Sequence, residues 1–242
     1  MMKRTFTALA ATLVVSSSLS AQDIGFAPQV GQWELRTDLT DLTFRREKWS
    51  NDGDDYADRT RFSINGQALY SISPRLSAGA YVRYFRETTG DGQGESNGGQ
   101  SNYIIRPIVR YFFTDNLGAG FSYRYYSGRS FDGDGDDTSS LTTTAIVPRV
   151  MYRTPLSDEW LLEAYGEYVW FSREDFDGDG ETTGEDAERA WVLGTELKYF
   201  LSPSFSANLD LSYTSADTDL EDDDTDMGYS AFRADLGFSF YF

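Results

Sequence analysis

The chain of 242 residues has no cysteine and no histidine. Without cysteine, no disulfide staples the fold in an oxidising compartment, and no lipidated Cys can follow processing. Without histidine, the side chain that titrates near neutrality is missing, and with it the usual base for a hydroxyl or thiol nucleophile. An enzyme is not expected, and no residue stands out as catalytic or cofactor-binding. Past the first 21 residues there is no apolar run near the ~18 residues that a transmembrane helix needs. Basic residues are few: Lys and Arg total 21 against 39 Asp and Glu, a formal charge of −18. That balance argues against a nucleic-acid partner. It leaves divalent cations and cationic partners open.

The amino terminus reads as a processing signal. Lys3 and Arg4 precede the uncharged run from Phe6 to Val15, and small residues lead to Ala21-Gln22. This is the order of a secretory signal peptide, with cleavage expected after Ala21. Residues 22–31 are then expected to form a periplasmic amino-terminal segment, and residues 32–242 the folded domain.

The rest alternates with period two, the signature of strands. Ten segments are expected, near 32–46, 60–72, 75–87, 102–113, 117–128, 141–153, 159–172, 188–200, 204–215 and 228–242. In the third, Leu76, Ala78, Ala80, Val82 and Tyr84 oppose Ser77, Gly79, Tyr81 and Arg83. The first segment changes phase between Leu39 and Leu42, which implies a bulge or two short strands. Pro107 and Pro148 fall inside segments, where a bulge is the expected accommodation.

The connections alternate too. Short ones (Ser73-Pro74, 114–116, 155–158, Ser202-Pro203) separate long ones rich in Asp, Gly, Ser and Thr (47–59, 88–101, 129–140, 173–187, 216–227). Short periplasmic turns alternating with longer outer loops are the pattern of a bacterial outer-membrane barrel. A soluble sandwich or lipocalin-like barrel also alternates, with its apolar face inward. Charges on nearly every polar face, and aromatics crowding the strand ends (Tyr168-Val169-Trp170-Phe171, Tyr199-Phe200), favour the membrane. The expected fold is all-β: an antiparallel up-and-down transmembrane barrel of about ten strands, with eight or twelve as alternatives.

The last segment ends Phe238-Ser239-Phe240-Tyr241-Phe242. A final strand of alternating aromatics closing on Phe resembles the insertion signal of bacterial outer-membrane barrel proteins, a porin-like superfamily. With the signal peptide, the resemblance covers the whole chain. It implies a Gram-negative outer membrane, contact with lipid and lipopolysaccharide, and delivery by the barrel-assembly machinery through Phe242. The small-porin families, including the twelve-stranded oligogalacturonate-specific porins, are similar in size. No motif assigns the chain to one of them.

Placing the apolar face toward lipid turns Arg83, Arg106, Arg110, Arg124, Arg149 and Arg153 inward on segments three to six. Glu163, Glu167, Glu196, Asp210 and Asp235 turn inward on seven to ten, with Lys198 and Arg233 among them. A charge facing lipid near the midplane would cost ~2–4 kcal/mol, which drives them inside. One reading is a narrow channel for small hydrophilic or charged solutes, its field running from a cationic to an anionic wall. The other is a barrel of about ten strands filled by ion pairs, displaying its loops in adhesion or envelope stability. Gly79, Gly118, Gly120 and Gly194 on the inner face are expected to leave room.

The outer loops hold most of the acid. Asp175-Phe176-Asp177-Gly178-Asp179-Gly180-Glu181 continues to Asp186 with the ligand spacing of a calcium loop. Asp175, Asp177, Asp179 and Asp186 would offer carboxylates and Glu181 a main-chain carbonyl. An all-oxygen set points to Ca2+. The shorter Asp at position twelve and Thr182 at position eight depart from the pattern. A solvated acidic loop is the alternative.

Overall fold

In a computed structural model of the chain, residues 29–38, 42–51, 54–90, 96–219 and 227–242 are described. The expected signal segment 1–21, most of the expected amino-terminal segment 22–31 and the acidic run 220–226 lie outside them. Eleven strands are present among the described residues: β1 (Trp33–Asp38), β2 (Leu42–Asn51), β3 (Asp54–Ser73), β4 (Leu76–Gly90), β5 (Ser96–Phe112), β6 (Leu117–Phe131), β7 (Asp137–Pro155), β8 (Trp160–Asp177), β9 (Thr182–Ser202), β10 (Phe205–Asp219) and β11 (Met227–Tyr241). From β3 to β11 each is antiparallel to its sequence neighbour.

β1 and β2 are the lower and upper parts of one stave, so the wall is a closed ten-strand barrel. Both lie along β3, with Arg36 opposite Gln67 and Leu42 opposite Ile64, so the register moves by three between them. The phase change in the sequence therefore marks a break in one strand. β1 also pairs with β11, from Glu34↔Tyr241 to Asp38↔Gly237, and this closes the barrel. Among the described residues, β11 from Met227 to Leu236 pairs only with β10.

The short turns carry their own caps. Ser73 Oγ accepts from the Leu76 amide, Thr114 Oγ1 from the Leu117 amide and Ser202 Oγ from the Ser204 amide. A hydroxyl at the first turn position stands in for the backbone acceptor that the reversing chain loses.

The outer connections differ from the expectation. β6 runs to Phe131 and β7 resumes at Asp137; β8 runs to Asp177 and β9 resumes at Thr182. Most residues assigned to long loops are thus strand. Strands of 15 to 21 residues far exceed the ~9–11 needed to cross the hydrocarbon. Above the membrane both faces of the wall meet water. Ladder hydrogen bonds hold it there without any apolar alternation.

The two prolines also differ from the expectation. Ile105↔Tyr125 and Ile108↔Ser122 flank Pro107, and Ile146↔Trp170 and Arg149↔Glu167 flank Pro148, with no change of register. The missing N–H leaves a two-residue gap in one ladder rather than a bulge. The opposite ladder continues through Ala80↔Pro107 and Phe121↔Pro148.

The barrel is turned inside out relative to a soluble fold. Val82, Ile105, Val109, Phe121, Val150, Leu193 and Leu236 are exposed on the outside, while Glu196, Lys198, Arg153, Glu163 and Glu167 are buried within. Two aromatic belts bound the apolar band. Trp33–Tyr70, Trp160–Tyr199 and Phe205–Phe240 pair near the short turns. Tyr103–Tyr125 and the Tyr168–Trp170–Trp191 group pair toward the other end. Such belts sit at the two membrane interfaces.

Candidate functional site

The inward positions build two zones. Near the short turns the lumen is filled. Lys198 Nζ lies 2.8 Å from Glu34 Oε1 and 3.9 Å from Glu196 Oε1, and Arg36 Nη1 reaches Glu196 at 2.9 Å. Asn208 donates to Ser239 Oγ at 2.8 Å beneath them. Arg153 lies at this end, not in a cationic wall. Its Nε donates to the Asp115 carbonyl at 2.8 Å, and its guanidinium lies 3.7 Å from the centre of the Phe112 ring. A cavity of only ≈ 60 Å³ remains here, between Glu34, Arg110, Arg153, Glu163 and Lys198.

The next layer crosses the barrel. Arg106 on β5 reaches Glu167 on β8 at 3.2 Å and donates through Nε to Ser122 Oγ at 2.7 Å. Arg149 reaches both Glu163 and Glu167, at 3.1 and 3.3 Å. Arg149 also stacks 3.8 Å over the Tyr165 ring, whose hydroxyl donates to Asp210 at 2.9 Å. The carboxylates of the anionic wall are therefore claimed by guanidiniums reaching from the cationic one.

Above that layer the lumen opens into a cavity of ≈ 860 Å³. Among the described residues, Arg36, Arg61, Arg83, Arg106, Arg110, Arg124, Arg149 and Arg233 line it, against Glu167, Asp210 and Asp235 alone among carboxylates. Asp235 is bound to Arg233. Arg83, Arg110 and Arg124 have no carboxylate at ion-pair distance among the described residues, and the enclosed Nε atoms of Arg83 and Arg110 lack a hydrogen-bond partner. All thirteen lumen residues named from the sequence thus lie inside the barrel, split between the filled zone and the cavity.

The inner glycines make room for side chains, not for solvent. A Cβ on Gly194 would meet Tyr165 Cζ at 2.3 Å, and one on Gly118 would meet Phe112 Cδ1 at 2.8 Å. On Gly79 it would meet the Ala68 carbonyl oxygen at 1.9 Å. Gly194 and Gly118 admit the rings over which Arg149 and Arg153 stack, and Gly79 admits the neighbouring backbone.

Several lumen residues were not read from the sequence. Glu34 and Arg36 stand in the segment whose phase breaks. Arg59 and Arg61 both pair with the buried Glu87, Arg61 at 2.7 Å; Arg59 lay in a segment read as loop. The alternation Arg59-Arg61-Ser63-Asn65-Gln67 was the available signal.

The calcium-like stretch folds as a hairpin tip. Asp177 Oδ1 accepts from the Asp179 and Glu181 amides at 3.0 and 2.9 Å, and Gly180 has φ 81°. Asp132 Oδ1 makes the same two bonds with Asp134 and Asp136, with Gly135 at φ 91°. Asp175 lies on β8, 3.0 Å from Arg173. The Asp186 side chain lies outside the described residues. Among the described residues no three carboxylates converge on one point.

A closed antiparallel barrel with an apolar exterior, two aromatic belts and a charged lumen defines a transmembrane protein of the bacterial outer membrane. The family model described as "Outer membrane protein beta-barrel domain" matches residues 85–240, and the chain belongs to that family. A second model, "Putative MetA-pathway of phenol degradation", matches residues 29–135. No curated protein matches the chain. Among solved structures it is similar to the translocator domain of autotransporter NalP from Neisseria meningitidis (13% identity, 92% of each chain, TM-score 0.46). It is also similar to the outer membrane protease OmpT from Escherichia coli (11% identity, 88% of this chain and 93% of that one, TM-score 0.40).

Proposed function

We propose that this barrel is a narrow porin-like channel, entered from outside by small hydrophilic solutes and preferring anions. The observation that carries the reading is the charge of the upper lumen, where, among the described residues, eight arginines meet three carboxylates and three of the arginines have no carboxylate partner. A low-dielectric wall concentrates such a field and raises the local concentration of counter-ions. The reading has no catalytic step and includes export through a signal cleaved after Ala21. Single-channel recording in a planar bilayer tests it. A reversal potential displaced toward chloride in a salt gradient supports it, and a bilayer sealed at all voltages sinks it.

A second reading is favoured by the filled zone. The Glu34–Lys198–Glu196–Arg36 ion pairs occupy the lumen near the short turns, as they would in a barrel that displays its acidic hairpin tips and conducts nothing. In that reading the 175–186 stretch takes calcium, ordering the tips or bridging them to lipopolysaccharide phosphates. Calorimetric calcium titration of the folded protein, repeated with Asp175→Asn and Asp179→Asn, tests it. No heat from the unmutated protein excludes it.

A further inference from the structure

A lumen serving hydrated ions alone needs polar walls, yet this one is apolar on one side. Ala145, Val169, Phe171, Ala190 and Val192 on β7, β8 and β9 line the upper cavity, and they belong to one cluster with Val147 and Ala216. Ala145, Val169 and Ala190 are packed within that cluster, while Phe171 and Val192 stay partly buried; the apolar surface they keep toward the cavity is unfavourable against water in proportion to its area. It lies on the inside of the barrel, so lipid does not cover it. The opposite wall, β4 to β6, carries Arg83, Arg106 and Arg124. The two surfaces meet at a seam. Arg124 is the register partner of Ala145, and Ala145 that of Phe171.

We propose that the upper lumen binds amphipathic organic monoanions, the carboxylate held by Arg83 and Arg124 and an alkyl body laid on the Val169–Phe171 patch. This rests on the reading of the lumen as a chamber entered by anions, and adds the substrate class. An inorganic anion would leave the patch wet. A neutral apolar molecule would leave the guanidiniums without a counter-charge. A small carboxylate with an apolar body satisfies both walls, because a fork of N–H donors matches a carboxylate while the body displaces water from the patch.

Calorimetric titration of the refolded full chain in detergent, corrected against empty micelles, tests this with acetate, butyrate, hexanoate and 1-hexanol. Affinity is expected to rise with chain length, by up to roughly fourfold per buried methylene. Hexanol is expected to bind at least about tenfold more weakly than hexanoate, for want of a charge-assisted pair. Substituting Arg83→Gln with Arg124→Gln should weaken acetate and hexanoate together. Val169→Asn should flatten the chain-length series and leave acetate unchanged; Val192→Thr, of equal volume, replaces it if that variant does not refold. A flat series, hexanol equal to hexanoate, or affinities indifferent to the arginine pair would overturn the proposal. A chloride-conducting barrel with a flat series overturns the amphipathic site and leaves the channel. A sealed bilayer with a steep, arginine-dependent series does the reverse.

Discussion

Lys198 Nζ lies 2.8 Å from Glu34 Oε1, joining residues 164 apart in the chain across the inside of β10 and β11. The pair ties the first stave, on which closure depends, to the ninth strand. It also stands in the filled part of the lumen, beside the ≈ 60 Å³ cavity.

Both partners are largely buried, their side chains 7% and 15% exposed. Removing one leaves a charge without its counter-charge, which costs about 3–5 kcal/mol. Lys198→Met should therefore lower the unfolding free energy, measured in urea with lipid vesicles, by that order. The double variant Glu34→Gln with Lys198→Met should recover most of the loss, because no orphan charge remains. In the bilayer the double variant should conduct more than the unmutated barrel. Unchanged conductance would place the constriction elsewhere.

Selectivity should respond differently to the arginines that have no carboxylate partner among the described residues and to the paired ones. Replacing Arg83, Arg110 and Arg124 by Gln should displace the reversal potential toward cations. Replacing Arg106 and Arg149 by Gln also frees Glu163 and Glu167, so it should move the potential further per charge removed and cost stability too. Equal shifts per charge in the two sets would refute the assignment of partners.

The inner glycines should differ in tolerance. Gly194→Ala presses on the Tyr165 ring, which must tilt and disturb Arg149 and Asp210, at about 1–3 kcal/mol. Gly79→Ala presses on the Ala68 backbone, within a strand that has nowhere to move. It should be the more damaging, read as the yield of heat-resistant folded barrel. A Gly79→Ala protein that folds like the unmutated one would show that β3 and β4 can separate locally.

At the tips, Gly180→Ala meets no atom within 4 Å but must adopt φ 81°. It should cost about 1–2 kcal/mol from backbone handedness alone. Because the strain sits above the membrane, it should appear as faster amide exchange at 175–184 with little change in global unfolding. Asp177→Ala, which strips the acceptor from two amides, should produce the same local pattern.

The sequence by itself determined compartment, architecture and facing. Period two, with charges on one face and aliphatics on the other, admits a single arrangement once lipid is the solvent, because a carboxylate or guanidinium cannot face hydrocarbon. The break near Leu39 and the short turns at Ser73-Pro74, 114–116 and Ser202-Pro203 were legible for the same local reasons. The extent of the strands was not. Asp-Gly-Ser-Thr segments look alike whether they form a hydrated barrel wall or a loop, and only the ladder partner distinguishes them. The Asp177–Gly180 stretch is alike in kind, since an aspartate that caps amides and one that ligates an ion share a spacing. Above all, the pairing of charges lay beyond the sequence. Arg106 meets Glu167 across three staves, while Arg83 and Arg124 on the neighbouring strands meet no carboxylate among the described residues. Which guanidinium finds a partner depends on where the curvature of the closed wall brings side chains together, and closure is a property of the tertiary structure alone.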